Sequence, residues 1–184
     1  MKTIKIAVVV GSLRHESFNR HMANAIAKLA PPEFSFKELE IGNLPLYNQD
    51  DDTNPAAAVR RLKADINAAQ GLIFVTPEYN RSIPGVLKNA IDHASRPYGQ
   101  SAWAGKPAGV IGVSIGAVGT ALAQQHLRCI LAYLDVTVMG QPEAYIQAKE
   151  GLFEEDGSIC PASKVFMQTW VNTYLAWVKL HLTI

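Results

Sequence analysis

Lys5-Ile6-Ala7-Val8-Val9-Val10-Gly11-Ser12-Leu13-Arg14-His15-Glu16-Ser17-Phe18-Asn19 carries the fold in miniature. Lys5 to Val10 is continuous and rich in β-branched residues, the texture of a strand buried on both faces. Gly11 breaks the run, and Ser17 stands where it can cap a helix in which Met22, Ile26 and Leu29 share one face. Strand, short turn and helix in that order open a parallel α/β sheet.

The rest of the chain repeats the theme. Gly71 to Thr76 and Ala108 to Ser114 have the same buried texture, whereas Phe34 to Leu39 begins with the apolar-polar alternation of a strand near an edge. Val136 to Met139 is a short fifth strand. Between them lie helical spacings. Asn54-Pro55 reads as a cap and first turn ahead of Val59, Leu62, Ile66 and Ala69; Ser82 to Ser95 aligns Leu87, Ile91 and Ala94; Leu127, Ile130, Leu131 and Leu134 mark a fourth helix. A last helix of about 20 residues starts near Ser163 and aligns Val171, Leu175, Val178 and Leu182. Its second stripe, Phe166, Trp170 and Trp177, is expected to meet another chain or the Gln141–Cys160 segment. That segment and Gly42 to Thr53 read as long surface loops. Residues 1–184 are expected to form one domain, an open five-stranded parallel sheet with helices on both faces.

Composition narrows the function. At 184 residues, 48% hydrophobic and 18% charged, the chain suits one domain with a sizeable core. Apolar runs stop at five or six residues, far short of the roughly 20 a membrane helix needs. The start, Met1-Lys2-Thr3-Ile4-Lys5, shows no small-residue cleavage site, so a cytoplasmic location is expected. A net charge of +1 gives no electrostatic case for nucleic acid or an anionic membrane. The two cysteines, Cys129 and Cys160, make no disulfide framework, and neither they nor His15, His21, His93 and His126 have metal-ligand spacing. No metal site is expected.

In an open parallel sheet, ligands bind beyond the carboxyl ends of the strands. Three segments fall there. Gly11 to Asn19 offers Ser12, Ser17 and Asn19 as donors, Arg14 as a cation, and the free amides of a helix start, a set suited to phosphate; an ordinary serine-capped turn also fits. It matches neither G-x-x-x-x-G-K-[ST] nor G-x-G-x-x-G. Pro77-Glu78-Tyr79-Asn80-Arg81-Ser82 is stiffened by prolines on both sides, and Tyr79 gives a flat ring against which a planar ligand could lie; a half-buried surface tyrosine beside a solvated Glu78 also fits. The third segment runs from Ser114 to Gly119. With the strand before it, Gly112-Val113-Ser114-Ile115-Gly116 matches the G-x-S-x-G nucleophile elbow, with Asp156 and His181 following in hydrolase order. The alternative use of Gly116 and Gly119 is close backbone approach to a flat ligand.

Gly11-Ser12-Leu13-Arg14 with Ser17-Phe18-Asn19, and Pro77-Glu78-Tyr79-Asn80 with Ser82-Ile83-Pro84-Gly85-Val86-Leu87-Lys88-Asn89-Ala90-Ile91-Asp92, resemble the NADPH-dependent FMN reductase family, and within it the bacterial quinone and chromate reductases. The resemblance runs from about Ile4 to about Glu143. It departs at His15-Glu16, where relatives often have a basic and a small residue, and at Ile115, where a more turn-prone residue is usual. It implies a flavodoxin-like fold, non-covalent FMN, and NADPH or NADH as co-substrate. By position, Ser12, Leu13, Arg14, Ser17, Phe18 and Asn19 would form the phosphate side. Pro77, Glu78, Tyr79, Asn80 and Ser82 would line the isoalloxazine ring, and Ser114, Gly116 and Gly119 would close its far side. Hydride would pass from the nicotinamide through flavin N5 to a small acceptor (a quinone, chromate, an azo dye or free flavin) in a ping-pong scheme without a catalytic side chain. Arg81 would meet an anionic co-substrate or only solvent. A homodimer or homotetramer is implied. A flavodoxin-like electron carrier or flavin-binding regulator, and a serine hydrolase using Ser114, remain as alternatives.

Overall fold

A computed structural model describes residues 3–182; Met1 and Lys2, part of the start scanned for a leader, lie outside the described residues. The elements alternate as expected: β1 (Ile4–Val10), α1 (Phe18–Leu29), β2 (Phe34–Glu38), α2 (Ala57–Ala68), β3 (Gly71–Val75), α3 (Gly85–Ala94), β4 (Pro107–Ser114), α4 (Ala121–Tyr133), β5 (Thr137–Val138), β6 (Tyr145–Gln147) and α5 (Pro161–Leu182). The strands pair in parallel in the order β2-β1-β3-β4-β5, with Val10 level with Val75 and Val75 level with Ile111. This is the flavodoxin-like order, whose crossover reverses between β1 and β3 and opens a crevice there.

The strand period of two divides the core. Ile6, Val8, Val10, Ile73, Val75, Ile111 and Val113 face α1 and α5, while Ala7, Val9, Leu72, Phe74, Ala108 and Val110 face α2, α3 and α4. Each fully buried Leu, Ile or Val in these layers contributes about 1.5–3 kcal/mol of transfer free energy. The helices thereby hold the strand ends, and the loops they carry, in fixed relation.

Several expectations change in detail. The fifth sheet position is split: β5 pairs with β4 at Pro107 and Ala108, and β6 pairs with it at Gly112 to Ser114. The Gln141–Cys160 segment is therefore not only a surface loop, since it contains β6 and sends Ala144, Leu152 and Ile159 into the core. α2 begins at Ala57, after the Asn54-Pro55 pair, and has no side-chain cap. α3 begins at Gly85 rather than Ser82 because Ser82 closes a tight turn with Tyr79.

The α5 aromatic stripe is covered from within. Trp170 and Tyr174 stack at 5.6 Å over Gly109, where a Cβ would come within 2.8 Å of the Tyr174 ring. Trp177 donates its indole N–H to the Thr137 carbonyl at 2.9 Å. Phe166 remains partly exposed, and Leu182, expected on the buried face, is exposed.

Candidate active site

Gly11 extends the β1–β3 pairing by donating its N–H to the Val75 carbonyl, so the first loop leaves the sheet beside the crevice. Ser12 and Ser17 are buried in that loop. Ser17 caps α1 by accepting from the Arg20 amide at 3.4 Å. The amides of Phe18 and Asn19, in the first helical turn, point out of the helix without intrahelical acceptors. The Arg14 guanidinium lies 5.3 Å from the Phe18 ring centroid and makes no ion pair among the described residues. Hydroxyls, open amides and an uncommitted guanidinium form a donor set that fits a phosphate dianion.

Asn19 has another task. Its side-chain Nδ2 donates to the Val113 carbonyl and its Oδ1 accepts from the Val113 amide, both at 2.9 Å. The side chain expected to donate to a ligand thus spends its oxygen and one of its two N–H donors on fastening the start of α1 to β4.

Sequence reasoning missed Arg20 and Gly42 as supports of this loop. Arg20, one helical turn from Ser17, bonds the Arg14 carbonyl at 3.5 Å and ion-pairs with Glu38 at 3.0 Å. Leu13 lies over Gly42, where a Cβ would sit 2.8 Å from its Cδ2. Together with Val10, Ser12 and Leu39 these residues line a cleft of about 260 Å³. Larger hollows flank α3, of about 310 Å³ beside Lys63 and about 690 Å³ towards α4, and contain none of the residues expected to bind.

The second segment is a two-residue turn. Tyr79 and Ser82 exchange backbone hydrogen bonds of 2.9 and 3.0 Å, with Asn80 and Arg81 between them at φ 51° and 64°. Positive φ at both central positions is the type I′ arrangement. Pro77 is buried and Tyr79 half-exposed. Glu78 is not the solvated acid that the sequence allowed. Its Oε2 accepts from the amides of Leu122 and Ala123 at 3.0 and 3.1 Å, so it caps α4, and its Oε1 accepts from Arg81 at 3.2 Å. The Ser82 hydroxyl meets Nδ1 of His126 at 3.0 Å, a contact with no sequence signal because 44 residues separate the partners.

In the third segment Ser114 accepts from the Gly116 amide at 3.1 Å. A Cβ on Gly116 would meet nothing nearer than Ser114 Oγ at 3.6 Å, leaving its surface open to a ligand. Gly119 differs. It has φ +63°, and a Cβ there would lie 2.8 Å from the Tyr145 carbonyl carbon, so the chain's own β6 requires this glycine. Ile115 and Val118 are exposed beside it.

The nucleophile elbow has no triad. His181 bonds the Trp177 carbonyl at 2.8 Å near the end of α5, the end where Val178 packs on Gly71 at the start of β3. Ser114 terminates β4 at the opposite edge of the sheet. Asp156 accepts from Ser158 and lies beside Lys28 in the last turn of α1. Ser114, Asp156 and His181 therefore do not assemble into a triad, and the geometry does not favour a serine hydrolase.

The NADPH-dependent FMN reductase family model matches residues 4–151. A 2-hydroxy-1,4-benzoquinone reductase from a Burkholderia species is 54% identical over 96% of this chain and 97% of its own length. A quinone reductase from Pseudomonas putida is 49% identical, covering 96% and 95%. The solved structure of FerB, a flavoenzyme NAD(P)H:(acceptor) oxidoreductase from Paracoccus denitrificans, is 43% identical and superposes with a TM-score of 0.93 over 97% of this chain and 99% of that one. A flavodoxin variant from Pseudomonas aeruginosa, 20% identical with a TM-score of 0.61 over 96% and 99%, shares the fold.

Proposed function

The chain belongs to the NADPH-dependent FMN reductase family, and from that premise we propose that it is an FMN-dependent oxidoreductase passing hydride from NAD(P)H to a quinone. The observation that carries this reading is the open start of α1 beside the β1–β3 crevice, with Arg14 uncommitted above it. FMN, when bound, supplies the hydride relay between co-substrate and acceptor.

The chain's own residues bind and orient. Ser12, Arg14, Ser17 and the amides of Phe18 and Asn19 hold the phosphate, with Leu13 packed against the outer side of the loop. Pro77, Glu78, Tyr79, Asn80 and Ser82 form the segment along the ring, and Ser114, Gly116 and Gly119 form the far wall. No side chain acts as acid or base. The half-exposed Tyr79 and the exposed Ile115 and Val118 leave an apolar approach for a flat acceptor. Chromate, azo dyes and free flavin are further acceptors to assay.

Residues 1–184 act in this reading as one flavodoxin-like FMN-binding domain. A homodimer or homotetramer fits the exposed Tyr98 and Tyr133 beside the α3–α4 hollow, and light scattering that returns 20 kDa at micromolar concentration would refute it. No helix among the described residues is long and apolar enough to cross a membrane; the cytoplasmic site of action in this reading rests on its use of NAD(P)H.

The purified protein should be yellow, release about one FMN per chain, and oxidise NADPH or NADH with a quinone panel. Release of FAD, or a colourless protein that fails to take up FMN, sinks the reading. FMN binding without NAD(P)H turnover would return the protein to the electron carriers.

A further inference from the structure

Of the three helices that start at the carboxyl edge of the sheet next to the site, α1 and α4 are finished differently. α1 leaves the amides of Phe18 and Asn19 open, whereas at the start of α4 the amides of Leu122 and Ala123 are filled by Glu78, a residue of another loop whose side chain is 8% exposed. We propose that Glu78 is a positioning residue of the reductase: by fastening the Tyr79–Ser82 turn to α4, it holds the ring-side wall of the flavin site in place. The proposal rests on the FMN reading above.

The turn needs holding. A non-glycine residue at positive φ is uncommon, and Arg81 at 64° follows Asn80 at 51°. Such conformations persist where the surroundings over-determine them. Here the surroundings are the paired bonds of Tyr79 and Ser82, the Glu78–Arg81 ion pair at 3.2 Å, and the Ser82–His126 contact at 3.0 Å. To these Glu78 adds a tie to a separate element, its carboxylate being held at the start of α4 by the helix dipole as well as by the two amides.

Its reach also matters. α4 follows directly on the Ser114–Thr120 loop, so one carboxylate locks the second segment to the third. The first loop is tied separately, by Asn19 to Val113. Ring side and phosphate side thus have independent anchors, and loss of Glu78 should be felt by the ring alone.

The test strips the purified full-length protein of flavin by dialysis and titrates it with FMN and with riboflavin, well below its melting temperature. Glu78→Ala should weaken both ligands by the same factor, about tenfold, the scale of one charge-assisted hydrogen bond. Glu78→Gln, whose amide oxygen still accepts from Leu122 and Ala123, should stay within about threefold of wild type. Should Glu78→Ala not fold, Glu78→Asp replaces it: the shortened side chain must pull the turn or release α4, and should weaken both ligands equally. Wild-type affinity in Glu78→Ala or Glu78→Asp overturns the proposal, even with a lowered melting temperature. Loss confined to FMN, or a Gln variant as weak as Ala, overturns it as well. A wild-type protein that binds neither flavin sinks the parent reading instead, a distinct outcome.

Discussion

Asn19 and Val113 exchange two hydrogen bonds of 2.9 Å across 94 positions of chain, the asparagine side chain reading one backbone unit of β4 as a neighbouring strand would. Both partners are buried. Asn19→Ala would strand the Val113 N–H and C=O away from water, and each unsatisfied group costs about 1–3 kcal/mol. The variant should lose about 2–6 kcal/mol of stability, read as a lower urea midpoint at unchanged slope. A midpoint equal to wild type would show that the pair holds nothing.

Arg14 is the opposite case, exposed and without an ion pair among the described residues. Arg14→Ala should change stability by no more than about 0.5 kcal/mol. Bonds to charged groups are worth about 1.5–3 kcal/mol, so FMN affinity should fall by roughly ten- to a hundredfold. Riboflavin, lacking the phosphate, should bind variant and wild type alike in the same fluorescence titration. Undiminished FMN binding would move the phosphate elsewhere.

Ser114 offers its oxygen to the Gly116 amide and has no histidine partner among the described residues. Ser114→Ala should retain most NADPH:quinone activity and lose about 0.5–1.5 kcal/mol through that loop bond. Neither protein should hydrolyse p-nitrophenyl esters. An esterase present in wild type and absent in the variant would contradict the separation of Ser114 from His181.

The glycines of Gly112-Val113-Ser114-Ile115-Gly116 should behave unlike one another. A Cβ on Gly112 would lie 2.1 Å from the Thr76 carbonyl oxygen and 2.2 Å from Thr120 Oγ1, so Gly112→Ala should cost about 3 kcal/mol or more. Gly116→Ala has room in the folded chain and should leave the melting curve within about 0.5 kcal/mol of wild type. If a flat ligand approaches that backbone, FMN binding should nonetheless weaken in Gly116→Ala. Equal melting curves for the two variants would contradict the packing.

What could be read from the sequence was local. The buried strands announce themselves because Val8-Val9-Val10 or Leu72-Ile73-Phe74 has one backbone state that hides every side chain. Ser17 announces the start of α1 because a cap acts within three residues. β6 was not legible: Tyr145-Ile146-Gln147 has no apolar run, and its partner lies more than 30 positions away. The fate of Trp170 was hidden for a similar reason, since its cover depends on the missing side chain of Gly109 in another element. At the site, the donors of the first loop could be read directly. The tasks of Glu78 and Asn19 could not, because they are set by backbone groups 44 to 94 positions distant.

The split of the fifth strand bears on the colloidal behaviour of the protein. A long, straight sheet margin is a template on which another chain can polymerise. Here β5 offers two residues and β6 three, separated by six that belong to neither strand. At the other margin, β2 runs for five residues but places Lys37 and Glu38 in ion pairs with Asp65 and Arg20. Among the described residues neither margin presents an uninterrupted apolar ladder, so neither gives a second copy of the chain a continuous edge to extend.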